Sequence, residues 1–231
     1  MFFMIRFENV TKIYAGEQVA MQNISINIRS GEFVFLVGPS GAGKSTFMKM
    51  LFREETPTSG KIYINSKCIN DIRHEEVPYL RRQLGIVFQD VRLLPNKSIF
   101  DNIAFAMKVI ESPHGTIKRR VSHVLEMVGL RDRMKAYPRE LSGGEQQRVA
   151  IARAIVNKPG IVIADEPTGN LDPETSRDIV NIFEKINAGG TTVIMATHDK
   201  RVVDQMLKRV IAIENGIIVR DEAEGSYGYD D

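Results

Sequence analysis

Apolar and polar residues alternate near the start of the chain, where Ile24, Ile26 and Ile28 are interleaved with Ser25 and Asn27. That two-residue period is the mark of a half-buried strand. A Pro57-Thr58-Ser59-Gly60 turn leads into Lys61 to Asn65, so the N-terminal part predicts antiparallel β structure. Other runs are apolar throughout: Phe33 to Val37 before a Gly-rich turn, Ile161 to Ala164 before Asp165, and Thr191 to Ala196 before Thr197-His198. Strands with both faces buried belong to a parallel sheet covered by helices, so the expected fold class is α/β.

Residues Asp90 to Glu140 carry helical patterns and no strong strand, and read as a helical insertion between two parts of the core. Within them Ile117, Val121, Val124, Leu125 and Val128 form an apolar stripe at helical spacing. Near the end, Val210 to Glu214 and Ile217 to Arg220 flank Asn215-Gly216, a strong type I′ hairpin signal. The expected organisation is one domain: residues 1–89 and 141–221 as core with its β portion, 90–140 as a helical lobe, and 222–231 as a loosely packed tail. There is no internal repeat.

Composition narrows the function classes. A chain of 231 residues with 43% hydrophobic and 26% charged residues can bury one large core. No apolar run approaches the roughly 20 residues needed to cross a bilayer. The opening Met1-Phe2-Phe3-Met4 meets Arg6 and Glu8 too soon for a secretion signal, so a cytosolic chain is expected. With 31 basic and 29 acidic residues, net +2, there is no overall field to draw it onto nucleic acid, and no direct nucleic-acid partner is expected. The basic runs Arg81-Arg82 and Lys118-Arg119-Arg120 read as solvated helix faces. Cys68, the single cysteine, reads as a small half-buried hydrophobe.

The chemistry concentrates in three segments. Gly38-Pro39-Ser40-Gly41-Ala42-Gly43-Lys44-Ser45 fits G-x-x-x-x-G-K-[ST] between an apolar strand and a helix bearing Phe47, Leu51 and Phe52. Such a loop closes backbone N–H groups around phosphate oxygens, its Lys44 neutralises the β and γ phosphates, and its Ser45 offers a hydroxyl to Mg²⁺. Asp165, at the end of a buried strand, would hold Mg²⁺, and Glu166 would polarise water for in-line attack on the γ-phosphate. In Leu141-Ser142-Gly143-Gly144-Glu145-Gln146-Gln147, Ser142 and Glu145 have capping-box spacing, and two glycines bare a helix N-terminus to an anion.

Together these segments resemble the ABC ATPases, and Leu141 to Gln146 resembles that family's signature motif. The resemblance implies a P-loop NTPase fold of the ABC kind: a parallel-sheet core, an N-terminal antiparallel β subdomain and a helical subdomain. It implies ATP as substrate, Mg²⁺ as cofactor, and an ATP-dependent homodimer in which the signature motif of one copy binds the γ-phosphate on the other's P-loop. The remaining family elements follow in order. Tyr14 resembles the aromatic that stacks on adenine, Thr46 completes the P-loop, and Gln89 resembles the Q-loop glutamine that reaches the metal. Asn170-Leu171-Asp172 resembles the D-loop, and His198 the switch histidine. Asp172 also has N-cap spacing for a following helix.

Accessory segments resemble the branch that includes lipoprotein-release, macrolide-export and cell-division ATPases. They are Phe88 to Pro95, Ile99-Phe100-Asp101-Asn102-Ile103 and Ile163 to Asn170. The ending, Val210 to Gly216 with Tyr227-Gly228-Tyr229-Asp230-Asp231, is most similar to the cell-division members. That resemblance implies a few-span membrane partner contacted around Gln89 to Met107, placement at the cytoplasmic face of the cell membrane at the division site, and control of an extracellular peptidoglycan hydrolase. Two alternatives stand beside it at this point: the ATPase subunit of a lipoprotein, peptide or drug transporter, and an ATP-dependent non-catalytic scaffold.

Overall fold

A computed structural model describes residues 3–228. In chain order the strands are β1 (Phe3–Ile13), β2 (Val19–Arg29), β3 (Phe33–Val37), β4 (Ser59–Ile64), β5 (Lys67–Cys68), β6 (Leu84–Val87), β7 (Ile161–Asp165), β8 (Thr192–Ala196), β9 (Arg209–Glu214) and β10 (Ile217–Glu222). The helices are α1 (Lys44–Leu51), α2 (Val77–Arg81), α3 (Ile99–Lys108), α4 (His114–Met127), α5 (Gly143–Ile155), α6 (Pro173–Ala188) and α7 (Lys200–Met206).

The strands form two sheets. One is antiparallel in the order β2-β1-β4-β5, and the other runs β10-β9-β3-β8-β7-β6. All pairs in the second sheet are parallel except β10 with β9, the hairpin at Asn215-Gly216. Both turn residues have positive φ, 48° and 78°, as a type I′ turn requires.

The all-apolar strands are apolar because each face of the parallel sheet meets a different layer. Phe33, Phe35, Val37, Val162, Ala164, Val193 and Met195 pack with the helices, including the buried stripe of α4. Their neighbours Val34, Leu36, Ile161, Ile163, Ile194 and Ala196 face α1 and the antiparallel sheet. Phe47 on α1 stacks on Phe7 of β1, centroids 4.4 Å apart and rings 4° from parallel. Replacing such a buried ring with alanine costs about 3–5 kcal/mol, so α1 and the loop before it are firmly seated.

Three expectations are corrected. Arg81 and Arg120 are not merely solvated. Arg81 Nε donates to the Phe52 carbonyl at 2.9 Å, and Arg120 Nε to the Val156 carbonyl at 2.9 Å. Each satisfies carbonyls left over at a helix C-terminus, and burial lowers the pKa of Arg120. The third concerns the tail. Arg220 donates to the carbonyls of Ser226, Tyr227 and Gly228, the Tyr227 N–H donates to Asp204 Oδ1 at 2.6 Å, and Gly225 is buried against Val210. Residues 225–228 are therefore held against the core, while Tyr229, Asp230 and Asp231 lie outside the described residues.

Candidate active site

The site lies at the C-terminal ends of the parallel strands, where ligands of open α/β sheets bind. The phosphate loop follows β3, Gln89 follows β6, Asp165 ends β7, and His198 follows β8. A cavity of about 600 Å³ brings together Tyr14, Gly38 to Thr46, Gln89, Asp165, Glu166 and His198. Gln18, Val19, Ala20 and Tyr227 complete its wall; sequence reasoning assigned these no role.

The loop's shape is enforced from outside. Gly38 has φ 141°, and a Cβ there would lie 2.0 Å from the Ile213 carbonyl oxygen; at Gly43, φ 112°, it would lie 2.5 Å from that of Ala20. The Gly216 N–H donates to the Ala42 carbonyl at 3.0 Å, so the β9–β10 turn braces the loop. Lys44 Nζ donates to the Gly38 and Pro39 carbonyls at 2.7 and 2.9 Å, which holds the ammonium over the loop's concavity.

Opposite the loop, Asp165 and Glu166 sit side by side. Asp165 has its pKa raised, first by burial and then by the Glu166 charge, with Lys44 pulling the other way. A buried carboxylate in that state favours a cation beside it. Ser45, Gln89 and Asp165 provide a hydroxyl, an amide and a carboxylate to the same cavity. That fits Mg²⁺, which is usually held by one or two carboxylates together with substrate phosphates.

Glu166 is held in the left-handed region, φ 47°, which non-glycine residues enter at a cost. Its N–H donates to the Ala196 carbonyl at 3.0 Å. Its Oε2 lies 2.7 Å from His198 Nδ1 and accepts from the His198 N–H at 3.2 Å. Glu166 has 15% and His198 63% of its side chain exposed, so the carboxylate is recessed and the imidazole is open to whatever docks there. Tyr14 packs beneath Lys12 Nζ, 4.8 Å from the ring centroid, and its hydroxyl is 3.3 Å from Thr46 Oγ1.

Leu141 to Gln146 and Asn170 to Asp172 do not line this cavity. Ser142 caps α5 by the reciprocal pattern expected: its Oγ accepts from the Glu145 N–H at 3.2 Å, and its own N–H donates to Glu145 Oε2 at 2.8 Å. Gly143 is exposed, but Gly144 is buried, and a Cβ there would meet Thr175 Cγ2 of α6 at 2.3 Å. The second glycine thus serves close helix packing, while the first bares the helix end. Asp172 caps α6, accepting from the N–H groups of Glu174 and Thr175. Leu171 and His198 border a second hollow of about 390 Å³, which no residue of the phosphate loop lines.

Comparison with known proteins identifies the family. The ABC transporter family matches residues 21–169. Cell division ATP-binding protein FtsE of Bacillus subtilis is 56% identical, covering 97% of this chain and 99% of that one. The protein of the same name from Mycobacterium tuberculosis is 54% identical, covering 98% and 99%. Among solved structures, a dimeric ATP-binding cassette in a post-hydrolysis state, bound to ADP and Pi, aligns with TM-score 0.86 and 36% identity over 96% of this chain and 100% of that one.

Proposed function

The chain belongs to the FtsE family of cell-division ATP-binding proteins within the ABC transporter family, and from that premise we propose that it is the ATP-hydrolysing subunit of a complex with an FtsX-like membrane protein. ATP enters with its adenine toward Tyr14 and its phosphates in the loop from Gly38 to Thr46, where Lys44 neutralises the β and γ groups. Mg²⁺, when held by Ser45, Gln89 and Asp165, supplies charge neutralisation at the phosphates. Glu166 orients and polarises the attacking water, and His198 fixes one of its carboxylate oxygens while facing the γ-phosphate end. A second copy supplies Leu141 to Gln146 across the phosphates, with Asn170 to Asp172 at the seam. The ATP-bound chain is therefore a homodimer.

Closure of that dimer is the power stroke. The helical lobe, residues 90–140, with the groove from Gln89 to Met107, passes it to the membrane partner. The partner in turn controls a peptidoglycan hydrolase outside the cell. Among the described residues no helix is long and apolar enough to cross a membrane, and this reading places the chain at the cytoplasmic face of the division site through its partner.

The observation that carries the proposal is the recessed Glu166 carboxylate, bonded to His198 at 2.7 Å beside Asp165 on the wall facing the phosphate loop. Glu166→Gln keeps the shape and removes the base. Turnover should fall at least about a hundredfold, while ATP binding persists and a closed dimer accumulates. Unchanged turnover would refute the role given to Glu166. Capturing that closed dimer from cells with its membrane partner tests the rest: a few-span protein with an extracellular domain supports the division role, and a permease with a substrate cavity overturns it.

A further inference from the structure

We propose that Tyr227 is a positioning residue for ATP hydrolysis, delivered by the C-terminal strap to the wall of the cavity that also holds Glu166, and acting through that carboxylate. The strap is built to hold one residue in place. Arg220, only 9% exposed, clamps the carbonyls on and around Tyr227, at 2.7 Å to Ser226, 3.0 Å to Tyr227 and 2.6 Å to Gly228. Asp204 on α7 takes the Tyr227 N–H at 2.6 Å, and the Gly225 N–H donates to the Lys208 carbonyl at 3.1 Å. Lys200 Nζ sits 5.5 Å from the ring centroid, and the ring packs against the helical side of the core. With backbone and ring both fixed, the side chain borders the same cavity as Lys44, Glu166 and His198.

The phenol is chemically suited to the task. Burial, and then the Glu166 charge, raise its pKa above the ordinary value, so it remains a neutral O–H donor within the field of that carboxylate. His198 occupies Glu166 Oε2, which leaves Oε1 for a further donor or for the water to be activated. A neutral donor held on the wall of that cavity would restrain the carboxylate without neutralising it, and the ring forms part of the same wall.

This inference rests on the reading of Glu166 as the residue that polarises water, and four forms of the full chain separate the two. They are the unaltered chain, Tyr227→Phe, Glu166→Gln and the double variant, measured with ATP and Mg²⁺ under steady-state and single-turnover conditions. Tyr227→Phe keeps the ring under Lys200 and removes only the hydroxyl. Its kcat should fall about tenfold, the lower end of what an outer hydrogen-bonding partner contributes, with KM for ATP and thermal stability unchanged. In the Glu166→Gln background the same change should cause no further loss, because residues that act as a unit are not additive. Full kcat in Tyr227→Phe, or an equal tenfold loss in both backgrounds, overturns the role of Tyr227. Unchanged turnover in Glu166→Gln overturns the reading beneath it.

Discussion

Gly38 and Gly41 stand three residues apart in one loop, yet they answer to different constraints. Both have positive φ, 141° and 79°, but a Cβ on Gly38 would strike the Ile213 carbonyl at 2.0 Å, whereas one on Gly41 meets nothing within 4 Å. Gly41→Ala should therefore cost only the backbone term, about 1–2 kcal/mol. Gly38→Ala must also push the loop off β9, and it should be the more destabilising by several kcal/mol, on the order of a core overpacking. Urea denaturation of the two variants decides this; equal losses would mean that the loop relaxes freely. The loop motif was readable because its chemistry is contiguous, yet the sequence alone did not say which glycine faces packed backbone and which faces open space.

Helix α3 shows how a single cap couples an element to pH. Ser98 Oγ accepts from the Asp101 N–H at 3.1 Å and donates to Asp101 Oδ2 at 2.9 Å, and that donation is the main reason the Asp101 pKa is lowered. Ser98→Ala should cost about 1 kcal/mol near neutral pH. A depressed carboxylate adds stability that is present above its unfolded pKa and lost as pH falls through the lower folded value. The penalty of Ser98→Ala should therefore shrink below about pH 4, and a penalty constant across urea titrations from pH 7 to pH 3 would exclude the carboxylate contribution. Elements such as β3, β7 and β8 were legible because both faces are buried and the whole run is apolar. Strand β6 was not: it is four residues long and contains Gly85, present because a Cβ there would meet the Ala154 carbonyl of α5 at 2.7 Å. Arg81 and Arg120 were misread for a related reason, since the carbonyls they bind belong to helix ends distant in sequence. Tyr227 reaches the site through Asp204 and Arg220, and no local pattern announces that.

At the scale of the whole molecule, the proposed ATP site is divided between two regions that share no cavity within one chain. The phosphate loop, Asp165, Glu166 and His198 share one cavity, while Ser142 and the exposed Gly143 start α5 away from it. In the proposed dimer a second copy completes the arrangement, so ATP affinity and association should be linked. Anything that binds ATP-loaded chains in pairs tightens apparent ATP binding as protein concentration rises. In Glu166→Gln, which holds ATP without consuming it, that concentration dependence should be plain, with a dimer seen by light scattering. Adding Ser142→Ala removes the α5 cap, about 1 kcal/mol of local stability, and the hydroxyl offered to the partner's γ-phosphate. The double variant should bind ATP as a dilute monomer does, remain monomeric at all concentrations, and lose the concentration dependence. If it still dimerises with ATP, Ser142 contributes only its cap, and the anion site at the start of α5 must rest on the backbone at the exposed Gly143.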